Sequence, residues 1–140
     1  MITSKWIKPG ESLDTVSALR AQSDDAPCAD MLDQFSYHLI LSLDGTDVAT
    51  GRIRYLKQDT AALEDIFVLP AFRCQGIGDG LVKILDYKAS QLGMHFSEVT
   101  CPIALKRFFS LIGFQILASE DGTLQMRKET NDGSTENCKN

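Results

Sequence analysis

The residues with the clearest chemical potential lie around positions 66 to 80. An apolar strand, Ala62 to Leu69, runs into Pro70 and then into Arg73-Cys74-Gln75-Gly76-Ile77-Gly78-Asp79-Gly80. That loop opens into an amphipathic segment, roughly Gly78 to Leu92, in which Leu81, Ile84, Leu85 and Leu92 follow helical spacing. The first amides of a helix have no carbonyl partners, and the helix dipole adds positive potential at the same point. Glycine lets a ligand approach that backbone closely, so the arrangement suits a phosphate group. Neither common nucleotide motif fits. Gly76-x-Gly78-x-Gly80 lacks the third glycine offset and the downstream acidic residue of the dinucleotide fingerprint. No Gly-Lys-Ser/Thr follows, as a P-loop requires. A loop that simply needs positive φ would also explain the glycines on their own. Cys74 lies inside the loop, but no histidine is near it in sequence to activate it as a nucleophile.

The chain that must position these residues has 140 amino acids, long enough for one domain to bury its own core. Its 44% hydrophobic and 24% charged residues are ordinary for a globular protein. A net charge of −5 argues against nucleic acid, which calls for a basic stripe. No apolar run reaches the roughly 18 residues of a membrane span, so no membrane partner is expected. The segment Met1 to Trp6 lacks the apolar core of a signal peptide, and a cytoplasmic location is the default. Cys28, Cys74, Cys101 and Cys138 form no Cys-x-x-Cys pair. They read as reduced thiols rather than as a metal site or a disulfide framework.

Thr3 to Lys8 reads as a first strand, ended by Pro9-Gly10. A helix then starts at Glu11 or Ser12, with Leu13, Val16 and Leu19 on one face. Ala29 to Phe35 reads as a second short helix with Met31, Leu32 and Phe35 inward. Tyr37 to Leu43 and Val48 to Leu56 form a hairpin around Asp44-Gly45, and a second turn leads into Ala62 to Leu69. After the glycine loop and its helix, Gly93 fits a C-terminal cap. Phe96 to Cys101 follows as a strand, parallel to Ala62–Leu69 because a helix crosses between them. A helix from Ile103 to Leu111, a strand from Phe114 to Ala118 and a last strand from Thr123 to Lys128 complete the order. The predicted fold is α+β, a mixed, mostly antiparallel sheet of six or seven strands with helices on both faces. Residues 1–128 make the domain, and the polar stretch 129–140 is expected to be a disordered tail.

Arg73, Gly76 and Gly78, preceded by Val68 and Pro70, resemble the central motif of the GNAT family of acyl-CoA-dependent N-acetyltransferases. Phe108-Phe109-Ser110-Leu111-Ile112-Gly113-Phe114 resembles that family's helix ending in Phe-Tyr-x-x-x-Gly-Phe, and the likeness spans roughly residues 37 to 128. The resemblance implies acetyl-CoA as co-substrate and no metal. Amides of Gln75, Gly76, Ile77, Gly78, Asp79 and Gly80 would clasp its pyrophosphate, with Cys74 in the same loop. Arg73 would position the loop and add charge. The backbone of Ile66, Phe67 and Val68 would bond the pantetheine arm as a further strand does. Phe109 would flank the channel, and the two central parallel strands would splay apart around the thioester.

By the same resemblance the acetyl group passes directly to an amine, and a base removes the proton of the acceptor. Glu64 matches the family position of that base better, with Asp65 the fallback. Strand alternation lets only one of them face the site. A carboxylate merely satisfied by Arg52 or Arg54 is the alternative. The Val68 N–H would be the oxyanion donor. The chain departs from the family at Phe109, where the usual acid is tyrosine, and at Pro102 and Leu105, where asparagine and alanine are usual. Tyr87 is on the wrong helix to replace that acid, while Tyr37 and Tyr55 stay open. His38 reads as a packed residue, His95 as solvated and Trp6 as core. The implied function is an N-acetyltransferase acting on a primary amine of a small molecule or a protein. The alternatives are a catalytically weak acyl-CoA-binding regulatory domain and a binder of some other nucleotide. The acidic balance favours a cationic acceptor. Pairing of sheet edges, common in the family, would be the route to a homodimer.

Overall fold

The computed structural model describes residues 1–131. It contains strands β1 (Ile2–Ile7), β2 (Tyr37–Leu43), β3 (Thr46–Lys57), β4 (Thr60–Val68), β5 (Phe96–Pro102), β6 (Gln115–Glu120) and β7 (Thr123–Glu129). Helices α1 (Asp14–Arg20), α2 (Ile77–Gln91) and α3 (Lys106–Ile112) connect them. The strand order is β1-β2-β3-β4-β5-β7-β6. Pairs β1–β2, β2–β3, β5–β7 and β6–β7 are antiparallel, whereas β4 and β5 run parallel. This is the α+β sheet expected from the sequence, with seven strands. The parallel pairing covers only Thr60↔Phe96, Ala61↔Ser97 and Ala62↔Glu98.

By internal contacts the chain divides into two compact units, Met1–Arg54 with Leu63–Leu85, and Tyr55–Ala62 with the chain from Asp86. In the first unit, Val16 and Leu19 of α1 join Ile7, Ile40, Phe67 and Leu69 in one apolar cluster. On the opposite face of the sheet, α2 lies directly on β3. A Cβ at Gly51 would meet Leu85 Cδ1 at 2.8 Å, so any larger residue would force the buried Leu85 side chain to shift. Helices therefore cover both faces of this unit, which fixes the strand feeding the glycine loop. The hairpin turn Asp44-Gly45 takes φ of 50° and 86°, the left-handed pair that matches strand twist.

In the second unit, buried Asp86 accepts hydrogen bonds from Ser97 Oγ (2.8 Å), Lys128 Nζ (2.6 Å) and the Asn131 N–H (3.0 Å). Gly113, at φ 118°, ends α3. Phe109 stacks edge-on with Phe108 and Phe114, at centroid distances of 5.0 and 5.5 Å.

Several expectations are corrected. Residues 31–35 form a 3₁₀ turn, and its polarity is reversed: Met31 is 81% exposed and Phe35 66%, whereas Asp33 is 3% exposed. The cause is electrostatic. Asp30 and Asp33 cap the turn reciprocally, and Asp33 is drawn inward to two guanidinium groups. The segment after Pro102 splits into a 3₁₀ turn, Ile103–Leu105, and the shorter α3. Trp6 is half-buried, with Ile7 taking the core position. The final strand continues to Glu129, and the Thr130 N–H donates to the His95 carbonyl at 3.0 Å. Residues 132–140 of the expected tail lie outside the described residues, as does Cys138.

Candidate active site

The Leu69 N–H donates to the Val48 carbonyl of β3 at 2.8 Å. Backbone polar groups alternate sides along a strand, so those of Val68 and Ile66 point away from β3. Since β5 pairs only as far as Ala62, these groups have no strand partner among the described residues. After Pro70–Phe72, which forms a 3₁₀ turn, Cys74 and Gly76 both take left-handed backbone, at φ 64° and 81°. Alternating left-handed residues curl successive amides into an anion-binding concavity. The first amides of α2, at Ile77, Gly78 and Asp79, have no intrahelical carbonyl to bond.

A Cβ at Gly76 or Gly80 would meet no atom within 4 Å. Gly80 has ordinary helical backbone, its N–H donates to the Gly76 carbonyl at 3.2 Å, and it borders an apolar depression with Ile2, Leu41, Leu43 and Ile84, so it lies outside the amide concavity. The amides of Ile77, Gly78 and Asp79, beside the curled backbone of Cys74 and Gly76, are what fit a phosphate group. Arg73 is engaged elsewhere: its Nε donates to the Val68 carbonyl (2.8 Å), Nη2 pairs with Asp25 (2.9 Å), and the guanidinium lies over Phe67. In this state it braces the loop against β4.

The two candidate bases differ sharply. Glu64 receives Arg54 at both oxygens, each at 2.8 Å, and Arg52 Nη2 at 2.9 Å. The Arg54 hydrogen bonds outweigh partial burial and hold its carboxyl below the ordinary range. Asp65 is raised instead, because burial outweighs the attraction of Arg52 and Arg20. Arg52 Nη1 stands 3.1 Å and Arg20 Nη2 3.4 Å from Asp65 Oδ2. The expectation that only one of the pair faces the site is therefore corrected. Asp65 has φ 52°, which breaks the alternation, and a single guanidinium touches both carboxylates. Aspartate is one of the few residues that tolerate this backbone.

The sequence reading missed the rest of this cluster. Arg20 Nη1 binds Asp33 Oδ2 at 2.9 Å, and Arg52 Nη1 binds Asp33 Oδ1 at 2.9 Å and Asp30 Oδ1 at 2.7 Å. Burial pulls Asp33 upward, but hydrogen bonds from Arg20, the Asp30 amide and Arg52 hold it at about 2. Two local signals existed: Arg20 follows Val16 on the apolar face of α1, and Asp30-x-x-Asp33 is a capping pattern. Buried His38 contacts the Asp33 carbonyl at 2.8 Å through Nε2, and burial lowers its proton affinity, so it is neutral and packed. Four carboxylates thus face three guanidiniums, one negative charge in excess. Phe109 is 4% exposed, in the aromatic stack of the second unit, and has no proton to donate. Tyr55 is exposed, Tyr37 half-buried, and His95 exposed as expected.

A sequence model of the acetyltransferase (GNAT) family matches residues 6–114, and the chain belongs to that family. It is accordingly an acyltransferase. Among solved structures it is similar to an acyl-CoA N-acyltransferase from Pseudomonas aeruginosa, with 18% identity and a TM-score of 0.79 over 91% of this chain and 99% of the other. It is similar to the ribosomal-protein-S18-alanine N-acetyltransferase from Escherichia coli, with 17% identity and a TM-score of 0.74 over 94% and 95%. A GNAT family acetyltransferase from Elizabethkingia anophelis with acetyl-CoA bound gives 17% identity and a TM-score of 0.73 over 91% and 97%. No helix among the described residues is long and apolar enough to cross a membrane.

Proposed function

We propose that this acyltransferase moves an acetyl group from acetyl-CoA directly to a primary amine, with Asp65 as the proton acceptor. The observation that carries the reading is the contrast at β4. Glu64 is saturated by two arginines and made less basic, while adjacent Asp65 is made more basic. A base works best when its proton affinity approaches the working pH, which favours Asp65 over Glu64.

When bound, acetyl-CoA supplies the activated thioester carbonyl. Amides from Gln75 to Asp79 would hold its pyrophosphate, and the edge at Ile66 and Val68, which β5 does not cover, would bond its pantetheine arm. The Val68 N–H faces the same side and is the donor for the carbonyl oxygen. Arg73 fixes the Val68 carbonyl and so positions this edge. Asp65 takes a proton from the acceptor ammonium, the freed lone pair forms the N–C bond as the C–S bond breaks, and the second proton that the nitrogen sheds goes to water or to the departed thiolate. No side chain need protonate the leaving sulfur, because a thiol of pKa about 8.5 departs readily as thiolate. Exposed Cys28 and Cys74 fit a reducing compartment, which supports the cytoplasm as the place of action. A homodimer would form along β6, all of whose residues are exposed at the sheet edge.

The test is amine-dependent release of thiol from acetyl-CoA. Wild type should release it, and Asp65→Asn should do so roughly 10²- to 10⁴-fold more slowly with CoA affinity unchanged. Equal rates in the two proteins would refute the role of Asp65.

A further inference from the structure

We infer that Asp25 is a positioning residue for the cofactor: acting through Arg73, it holds the β4 edge at Val68 in place for acetyl-CoA. This rests on the proposed transfer reaction and extends its machinery to the loop after α1. Each link is a direct contact. Ser23 Oγ donates to Asp25 Oδ1, and Arg73 Nη2 donates to Asp25 Oδ2 at 2.9 Å. Arg73 Nε donates to the Val68 carbonyl at 2.8 Å, and its guanidinium carbon lies 5.7 Å from the centre of the Phe67 ring. A planar guanidinium with a carboxylate, a carbonyl and a ring around it is held in one orientation. Hydrogen bonds from Ser23 and Arg73 keep the Asp25 carboxyl below the ordinary range, so it is ionised at neutral pH.

Both ends of this pair are anchored on one apolar cluster. The Ala26 N–H donates to the Ser23 carbonyl at 3.3 Å, which closes a turn around Asp25. Ala26 and Phe72 pack against the cluster that contains Phe67 and Leu69. The Asp25 and Arg73 side chains are 55% and 41% exposed, so their pairing adds little to the stability of the fold. Its effect is to select one conformation of Arg73, and with it the direction of the carbonyl that this side chain holds.

The same segment reaches the other half of the site. Arg20 Nη2 stands 3.4 Å from Asp65, and Asp30 and Asp33 bind Arg52, itself 3.1 Å from Asp65. Residues 20–33 therefore brace the proposed proton acceptor and, through Asp25, the edge proposed to hold the thioester. This geometry fixes the sign of the effect. A carboxylate acting only as a charge beside an anion site would oppose CoA, and its removal would tighten binding. A carboxylate that positions Arg73 favours CoA, and its removal weakens binding.

The experiment measures CoA binding by calorimetry in wild type, Asp25→Ala, Asp25→Glu, Arg73→Gln and the Asp25→Ala/Arg73→Gln double variant. Asp25→Ala should raise the Kd of CoA by about 3- to 10-fold, the scale one exposed ion pair can transmit, with Tm nearly unchanged. Asp25→Glu should recover most of that affinity. In the Arg73→Gln background Asp25→Ala should have no further effect, because it acts through that side chain. In Asp25→Ala the KM for acetyl-CoA should rise with Kd, while the KM for the amine and the acid limb of kcat/KM stay at their wild-type values. A second readout needs no cofactor: the Arg73 Nε–H should exchange with water slowly in wild type and faster in Asp25→Ala. Equal or tighter CoA binding in Asp25→Ala, or additive effects in the double variant, overturns the inference and leaves the transfer reaction standing. Failure of wild type to bind CoA overturns the transfer reaction instead, and the exchange of the Arg73 Nε–H then decides the role of Asp25 by itself.

Discussion

At the scale of single residues, the protein separates two neighbouring carboxylates by what surrounds each. Glu64 is tied by Arg54 and Arg52, whereas Asp65 meets only the edges of two guanidiniums from a left-handed backbone position. Asp65 must be ionised to accept a proton, so kcat/KM should fall as pH drops through its raised pKa. Arg52→Gln removes the nearest stabilising charge and should move that acid limb to higher pH. A limb at unchanged pH in this variant would mean that Asp65 is not the titrating group. The sequence made the pair visible, together with Arg73 and the glycines, because these are local in the chain. It could not reveal the φ of Asp65, nor the meeting of Arg20 with Asp33 or Arg52 with Asp30, which are closed by the fold across 13 and 22 residues.

At the scale of elements, glycines serve packing in one place and the proposed binding loop in another. Gly51 lies under Leu85, and Gly51→Ala should destabilise the protein by about 1–3 kcal/mol through overpacking. Gly80→Ala should do the reverse in denaturant melts, adding up to about 1 kcal/mol of helix stability. Gly76→Ala, at φ 81° in the loop proposed to hold the pyrophosphate, should weaken CoA binding about tenfold, roughly 1.4 kcal/mol, by disturbing the curl of its amides. Unaltered CoA affinity in Gly76→Ala would remove the glycine loop from the binding site. Strands β2 to β5 and helix α2 were legible from hydrophobic period and turn residues, to within two residues at most ends. The 31–35 turn was not, because period assigns Met31, Leu32 and Phe35 to the core. A buried ion pair overrode that pattern by drawing Asp33 in their place.

At the scale of the whole molecule, the buried ion cluster links folding to pH. Asp33 falls from an ordinary 3.8 to about 2 in the folded state, so it adds about 2 kcal/mol of stability that is fully present above 3.8. That stability is lost as pH falls from 3.8 through 2. Asp65 acts oppositely: its raised pKa costs stability at neutral pH and relieves that cost on acidification. Acid unfolding followed by circular dichroism should therefore begin between pH 4 and 2, and Asp33→Asn should flatten this dependence. That variant should also lose about 3–5 kcal/mol at neutral pH, since it leaves two buried guanidiniums without their shared carboxylate. The family and the fold follow from motifs read directly along the chain, while the ion cluster around Arg52 is assembled only by the fold. The most direct measurement compares wild type, Asp65→Asn and Glu64→Gln for amine-dependent thiol release, with CoA affinity measured in parallel by calorimetry. The predicted result is wild-type CoA affinity in all three proteins and a loss of at least about 100-fold in rate for Asp65→Asn, larger than for Glu64→Gln. Full activity in Asp65→Asn with loss confined to Glu64→Gln would contradict it.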